Sequence, residues 1–107
     1  MTKDDSELTV LRVLENNPNL TQRQLADKLG LSLGKTNYLI RALIDKGLLK
    51  ISNFRNSDNK VAYLYFLTPK GIAEKTVLTN YFLQRKSEEY NKLKKEIKRL
   101  KKELNIR

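Results

Sequence analysis

Two amphipathic helical runs lie so close together that only a few residues, around Gly30-Leu31-Ser32, can join them. A connection this short allows few arrangements of a helix pair, and it has the spacing of a helix-turn-helix. Local signals fix both sides of it. Thr21 and Gln24 form a T-x-x-Q capping box, which satisfies two orphan amide donors at the start of one helix. Leu25, Ala26 and Leu29 face inward, and Gly30 stops the run because glycine accepts the left-handed cap conformation. Ser32 caps the next helix, which extends to about Lys46 with Thr36, Leu39, Ile40, Leu43 and Ile44 inward and Gly47 at its end.

A helix from about Asp5 to Asn16 precedes this pair, with Val10, Leu11 and Leu14 on one face and Leu8 and Val13 at its margins. Pro18 ends it, since proline cannot continue the hydrogen-bond ladder. Two strand-like runs follow the pair, Leu48 to Phe54 and Val61 to Leu67, the second rich in β-branched and aromatic residues. Between them Arg55-Asn56-Ser57-Asp58-Asn59-Lys60 has turn chemistry with a charge at each end, the pattern of a hairpin with a basic tip. Thr68 then caps a last helix, and Pro69 sits at its first position, where a missing N–H costs nothing. No glycine or proline interrupts the chain after Gly71, so this helix can run to about Leu104. The expected fold is mainly α with a small β-hairpin: a winged helix-turn-helix domain over residues 1–71 and a C-terminal dimerisation helix over 72–107, coiled coil over about 83–104.

Composition narrows the function. The net charge is +10, with 22 lysines and arginines against 12 acids, and a small chain this basic calls for a polyanionic partner. There is neither cysteine nor histidine, which removes disulfides, zinc sites of the usual donors and imidazole-based catalysis. The expectation is a non-enzyme without metal or cofactor. Gly30-Leu31-Ser32-Leu33-Gly34-Lys35-Thr36 imitates a phosphate-binding loop, but it has three residues between its glycines where that motif needs four, and it follows a helix rather than a strand. No apolar run approaches the roughly 20 residues that cross a bilayer, and the polar, acidic start is unlike a signal peptide. The expected location is the cytoplasm, away from membranes.

The order of elements and several of their sequences resemble the MarR family of regulators. Gln22-Arg23-Gln24-Leu25-Ala26 is similar to the family's second helix and Gly30-Leu31-Ser32 to its turn. Leu43-Ile44-Asp45-Lys46-Gly47-Leu48-Leu49 is similar to the end of its recognition helix, and Leu67-Thr68-Pro69-Lys70-Gly71 to the LTxxG that follows its wing. The wing departs from the common Asp-x-Arg, reading Asp58-Asn59-Lys60. The phrase Ser32-Leu33-Gly34-Lys35-Thr36-Asn37-Tyr38, the wing Asn53-Phe54-Arg55-Asn56-Ser57 and the charged last helix resemble a subgroup associated with exopolysaccharide gene clusters. The resemblance implies a bacterial transcriptional regulator of such genes.

A recognition helix reads base edges from its N-terminal half. Lys35, Asn37, Tyr38 and Arg41 are the candidate base readers: asparagine suits adenine, and arginine suits guanine or phosphate. Candidate backbone contacts are Arg23 and Lys28 beside the turn, Ser32, Gly34 (where the backbone can approach DNA closely), and Arg55 and Lys60 on the wing. The rival reading of each residue is an ordinary solvated helix face, and Tyr38 can instead pack against the wing.

The last helix carries a heptad repeat. Leu83, Tyr90, Ile97 and Leu104 fall at a; Lys86, Leu93 and Leu100 fall at d. Glu89, Glu96 and Glu103 fall at g, and Ser87, Lys94 and Lys101 at e. A parallel pair sets Glu89 against Lys94 and Glu96 against Lys101, whereas an antiparallel pair sets like charges together. The expected assembly is a parallel homodimer on a near-palindromic double-stranded DNA operator; the alternative is a solvated lone helix, or one folded back on its own domain. Outside the seam Lys92, Lys95, Lys98, Arg99 and Lys102 form a basic strip, which serves solubility or meets DNA or an acidic protein. Two other functions stay open at this point: a module that docks an acidic protein, and an RNA-binding winged helix, against which stands the closed major groove of A-form RNA.

Overall fold

A computed structural model describes residues 3–55 and 61–105 of the chain. The elements run α1 (Lys3–Asn16), α2 (Gln22–Leu29), α3 (Leu33–Asp45), β1 (Leu49–Arg55), β2 (Val61–Leu67) and α4 (Pro69–Glu103). This is the expected order. The wing tip, Asn56 to Lys60, lies outside the described residues, as does the side chain of Arg55.

The turns form where the sequence places their chemistry. At the start of α2, Gln24 N donates to Thr21 Oγ1 at 3.1 Å and Thr21 N donates to Gln24 Oε1 at 2.9 Å, completing the capping box. α2 and α3 end alike. Gly30 (φ +67°) and Gly47 (φ +75°) take the left-handed conformation. The amide after each glycine reaches back over the last turn, Leu31 N to Ala26 O at 3.0 Å and Leu48 N to Leu43 O at 3.0 Å. Both are Schellman caps, and each turns a leucine in towards the core.

The core gathers around α1. Val10, Leu11, Leu14, Leu25, Ile40, Leu43 and Leu49 are buried together with Leu39, Leu48, Tyr65 and Leu78. Each large aliphatic side chain buried here contributes about 1.5–3 kcal/mol. Leu8, expected at the margin of α1, is also in this core, since α1 is packed on by α4, β2, α3 and α2 together. Glu7 is buried beside it, its carboxylate accepting from Lys46 Nζ at 2.5 Å and so linking α1 to the end of α3.

β1 and β2 pair antiparallel, from Leu49 opposite Leu67 to Arg55 opposite Val61. Tyr65 N donates to Pro18 O at 2.9 Å, which fastens the hairpin to the α1–α2 connection. Thr68 holds the hairpin's exit: its amide donates to Leu48 O at 3.1 Å and its hydroxyl to Gly47 O at 2.6 Å, while that same hydroxyl caps Gly71 N. Gly71 is required here. A Cβ at this position would lie 2.0 Å from the Leu48 carbonyl oxygen.

α4 packs chiefly on α1 and also touches β2, while α3 packs on α2, α1 and β1. α1 therefore lies between α4 and the helix pair. α4 runs antiparallel to α1, with ion pairs Lys75–Glu15 and Arg85–Asp5 near the two ends of the contact. Leu78 is buried in that contact and Phe82 is half-buried against the core. Of the other apolar residues on this stretch, Ile72, Ala73, Val77 and Tyr81 are exposed, with Ile72 bordering a shallow groove shared with Leu14, Pro18 and Tyr65. From Leu83 to Asn105 every described residue is exposed, and the molecule measures 69 × 26 × 22 Å. α4 is continuous across the expected domain division at residues 71 and 72.

Candidate nucleic-acid interface

α3 owes its position to its inner face. Thr36, Leu39, Ile40 and Leu43 are buried, and Thr36 satisfies its hydroxyl by donating to Ser32 O at 2.9 Å. The opposite face is held out to solvent. Gly34, Tyr38, Arg41 and Asp45 are exposed along it at spacings of three and four residues, and Tyr38 is 61% accessible. Lys35 borders this stripe, with its ammonium 5.9 Å from the centroid of the Tyr38 ring. Tyr38 thus lies on the open side of α3 next to a cation.

The N-terminal end of α3 is suited to an anion. Its first amides point outward, one capped by the Ser32 hydroxyl, which accepts from Lys35 N at 3.1 Å. The helix dipole adds partial positive charge there. Nothing lies within 4 Å of where a Cβ on Gly34 would sit, so the backbone is open to close approach. Arg23 and Lys28 on α2 are exposed. None of Arg23, Lys28, Lys35 and Arg41 is ion-paired among the described residues.

Asn37 has a different setting from the other candidate readers. It is half-buried, and its amide Nδ2 donates to Gln22 Oε1 at 2.9 Å, bracing α3 against the first turn of α2. Base contact by Asn37 would require that bond to open or be shared. A shallow groove of about 400 Å³ beside it is lined by Gln22, Asn37, Ile40, Arg41, Ile44, Asp45 and Ile51, where α3 meets the base of the wing. Sequence reasoning missed three residues here. Gln22 is recognisable only once α2 and α3 are packed. Asp45 closes the cationic stripe with a negative charge, and its place one turn beyond Arg41 was a signal in the sequence. Lys50 adds an exposed cation on β1. Of the wing cations, Arg55 ends β1 opposite Val61, and Lys60 lies outside the described residues.

Among the described residues, no group of acids is placed to hold a metal ion, and no helix is long and apolar enough to cross a membrane.

Three helices, a short turn and a hairpin fastened beside the third helix define a winged helix-turn-helix fold. The family model described as winged helix-turn-helix DNA-binding matches residues 3–50. Comparison with curated proteins finds no significant match. Among solved structures, the chain is similar to a PadR-like transcriptional regulator from Bacillus cereus, with a TM-score of 0.73 at 17% identity over 81% of this chain and 89% of that one. It is similar to the Multiple Antibiotic Resistance Repressor, MarR, with a TM-score of 0.67 at 22% identity over 94% of this chain and 72% of that one. MepR of S. aureus, in a complex with DNA, gives a TM-score of 0.62 at 20% identity over 94% of this chain and 77% of that one. At these identities the likeness is one of fold.

Proposed function

We propose that this chain is a sequence-specific double-stranded DNA-binding regulator of transcription that works as a homodimer. The observation that carries the reading is the outer face of α3, a braced helix on which Gly34 and Lys35 at the positively polarised end, and Tyr38 and Arg41 beyond them, are exposed and make no ion pair among the described residues. A helix presented this way enters a major groove, where arginine reads guanine and backbone amides meet phosphate. One of the structural neighbours, MepR, is itself described in a complex with DNA. On this reading residues 1–71 contact DNA and residues 72–107 join two copies.

The second copy is held along α4. The heptad residues Leu83, Tyr90, Leu93, Ile97, Leu100 and Leu104 are all exposed, with Ile97 44% and Tyr90 63% accessible in the single chain. A parallel partner covers this seam and pairs Glu89 with Lys94 and Glu96 with Lys101. Each such rim pair is worth some tenths of a kcal/mol, and each buried seam side chain about 1.5–3 kcal/mol. A two-fold dimer places two α3 helices on half-sites about one helical turn, or a multiple, apart, so the operator is near-palindromic. The resemblance of the 32–38 and 53–57 segments extends the proposal to a cytoplasmic regulator of exopolysaccharide genes.

The test is competition between labelled duplex DNA and structured RNA at physiological salt, followed by footprinting of the region upstream of the gene. DNA should win, with a protected near-palindrome. Arg41→Ala should cost about 1–3 kcal/mol and relax preference at one base pair in each half-site. Equal competition by RNA, or unchanged base preference in Arg41→Ala, would contradict the reading.

A further inference from the structure

The distal third of α4 has a charge pattern that folding does not explain. Lys92, Lys95, Lys98, Arg99 and Lys102 occupy the side of the helix turned away from the Leu93–Ile97–Leu100 seam, and all five are exposed. None is ion-paired among the described residues. The acids of this stretch, Glu96 and Glu103, fall at the rim of the seam. Lys98 consequently has only cations three and four residues away in both directions: Lys94, Lys95, Lys101 and Lys102. Lys92 and Arg99 have glutamates at these spacings, but Lys95, Lys98 and Lys102 have none, and like charges so placed cost a helix a few tenths of a kcal/mol per pair. Neither the core nor the seam needs this strip, and a polyanion would offset its cost.

Its position distinguishes it from the reading face. α1 lies between α4 and the α2–α3 pair, and α4 leaves α1 at the Arg85–Asp5 ion pair before the strip begins. The five cations span about 15 Å of helix axis. Over that length a duplex presents a phosphate charge every 1.7 Å or so, a density that a row of five cations complements without reading bases.

We infer that the outer face of α4, from Lys92 to Lys102, is a second, sequence-independent DNA-contacting surface that engages a duplex segment other than the one under α3. The strip lets a bound regulator hold two segments of DNA together. It goes beyond the proposed reading by α3 and is separable from it.

The experiment loads full-length protein on an immobilised short duplex and measures retention of a second, fluorescent duplex. A variant in which Lys92, Lys95, Lys98, Arg99 and Lys102 are all changed to glutamine keeps good helix formers at each site. Circular dichroism and sedimentation check that helix and assembly are intact. Wild type should retain the second duplex, with retention falling steeply as salt rises, and the five-glutamine variant should lose it about tenfold or more. The variant's affinity for the first duplex should stay within about twofold of wild type, since the strip lies outside that contact. Arg41→Ala supplies the opposite arm: it should weaken loading on the first duplex while leaving the strip intact. A normal first contact in Arg41→Ala would count against α3 as the reader and leave the strip to be judged by the five-glutamine variant. Equal second-duplex retention by wild type and that variant would overturn the inference. So would loss of the first duplex alone, which would place the strip on the same DNA. Retention abolished by poly-glutamate but not by unlabelled DNA would also overturn it, and would point to an acidic protein.

Discussion

α4 is one uninterrupted helix with two unlike environments. Its first four turns lie on α1, with Leu78 buried, Phe82 half-buried and ion pairs to Glu15 and Asp5 near either end. Its later turns leave α1 at the Arg85–Asp5 ion pair, and from there to Glu103 every residue is exposed. The amphipathic pattern is as regular in the second region as in the first, yet only the first finds its apolar partner within the molecule. An apolar stripe in a sequence fixes that something will be covered; the fold decides whether the cover comes from the same chain. Helical stability in proteins comes mostly from packing rather than propensity, so the two regions should respond differently to substitution and to protein concentration.

The largest effect should come at the anchored end. Gly71→Val puts a side chain into the Leu48 carbonyl, a contact that neither backbone can relieve without moving the hairpin off α4. Overpacking of this kind costs about 1–3 kcal/mol, and a clash with backbone falls at the upper end, so chemical denaturation should show a strongly lowered midpoint at any protein concentration. Next comes the free end. Leu100→Ala should cost about 2 kcal/mol per chain, in the range of large-to-small core changes. That loss should be seen only where the protein is associated and should vanish on dilution. A loss independent of concentration would mean that Leu100 packs within its own chain, and the contrast between the two regions would fail.

Gly34→Ala brings a smaller change of opposite sign. Position 34 is helical and open, so alanine should stabilise the domain by about 0.5–1 kcal/mol in a thermal melt. The same substitution should weaken DNA binding if the backbone at Gly34 approaches phosphate. A gain in both stability and affinity would remove Gly34 from the interface. The smallest effect concerns the seam's rim. Glu96→Lys alone or Lys101→Glu alone should destabilise the dimer by some tenths of a kcal/mol, and the two together should restore it. Failure of the double exchange to restore it would argue against a parallel register.

How much of this was legible in the sequence depends on how local its cause is. The capping box at Thr21, the glycine stops at Gly30 and Gly47, and the Thr68-Pro69 start each act within a few residues, and all are found where the sequence puts them. The outer face of α3 was legible for Tyr38 and Arg41 because helical periodicity alone sets it. The setting of Asn37 was not, because the Gln22 side chain that engages it belongs to another helix and their approach is fixed by core packing. Leu8 moved from margin to core for the same reason: elements far along the chain, α4 and β2 among them, pack on α1. Gly71 stood in a motif recognised by resemblance, but its physical cause, the Leu48 carbonyl, exists only when hairpin and helix are in place.

The central claim is that the distal half of α4 is completed by a second copy and that the pair binds DNA together. Sedimentation of wild type and Ile97→Lys, with circular dichroism and operator binding on the same samples, tests it most directly. Ile97 sits in mid-seam and touches nothing in its own domain, so lysine there should separate the chains without disturbing the core around Leu11, Leu25 and Leu43. Wild type should sediment as a dimer. The variant should sediment as a monomer that has lost distal helix but keeps a native core, with operator affinity lower by roughly a hundredfold, because the second docking is no longer intramolecular. A monomeric wild type, or an Ile97→Lys protein that still dimerises and binds as tightly, would contradict the account.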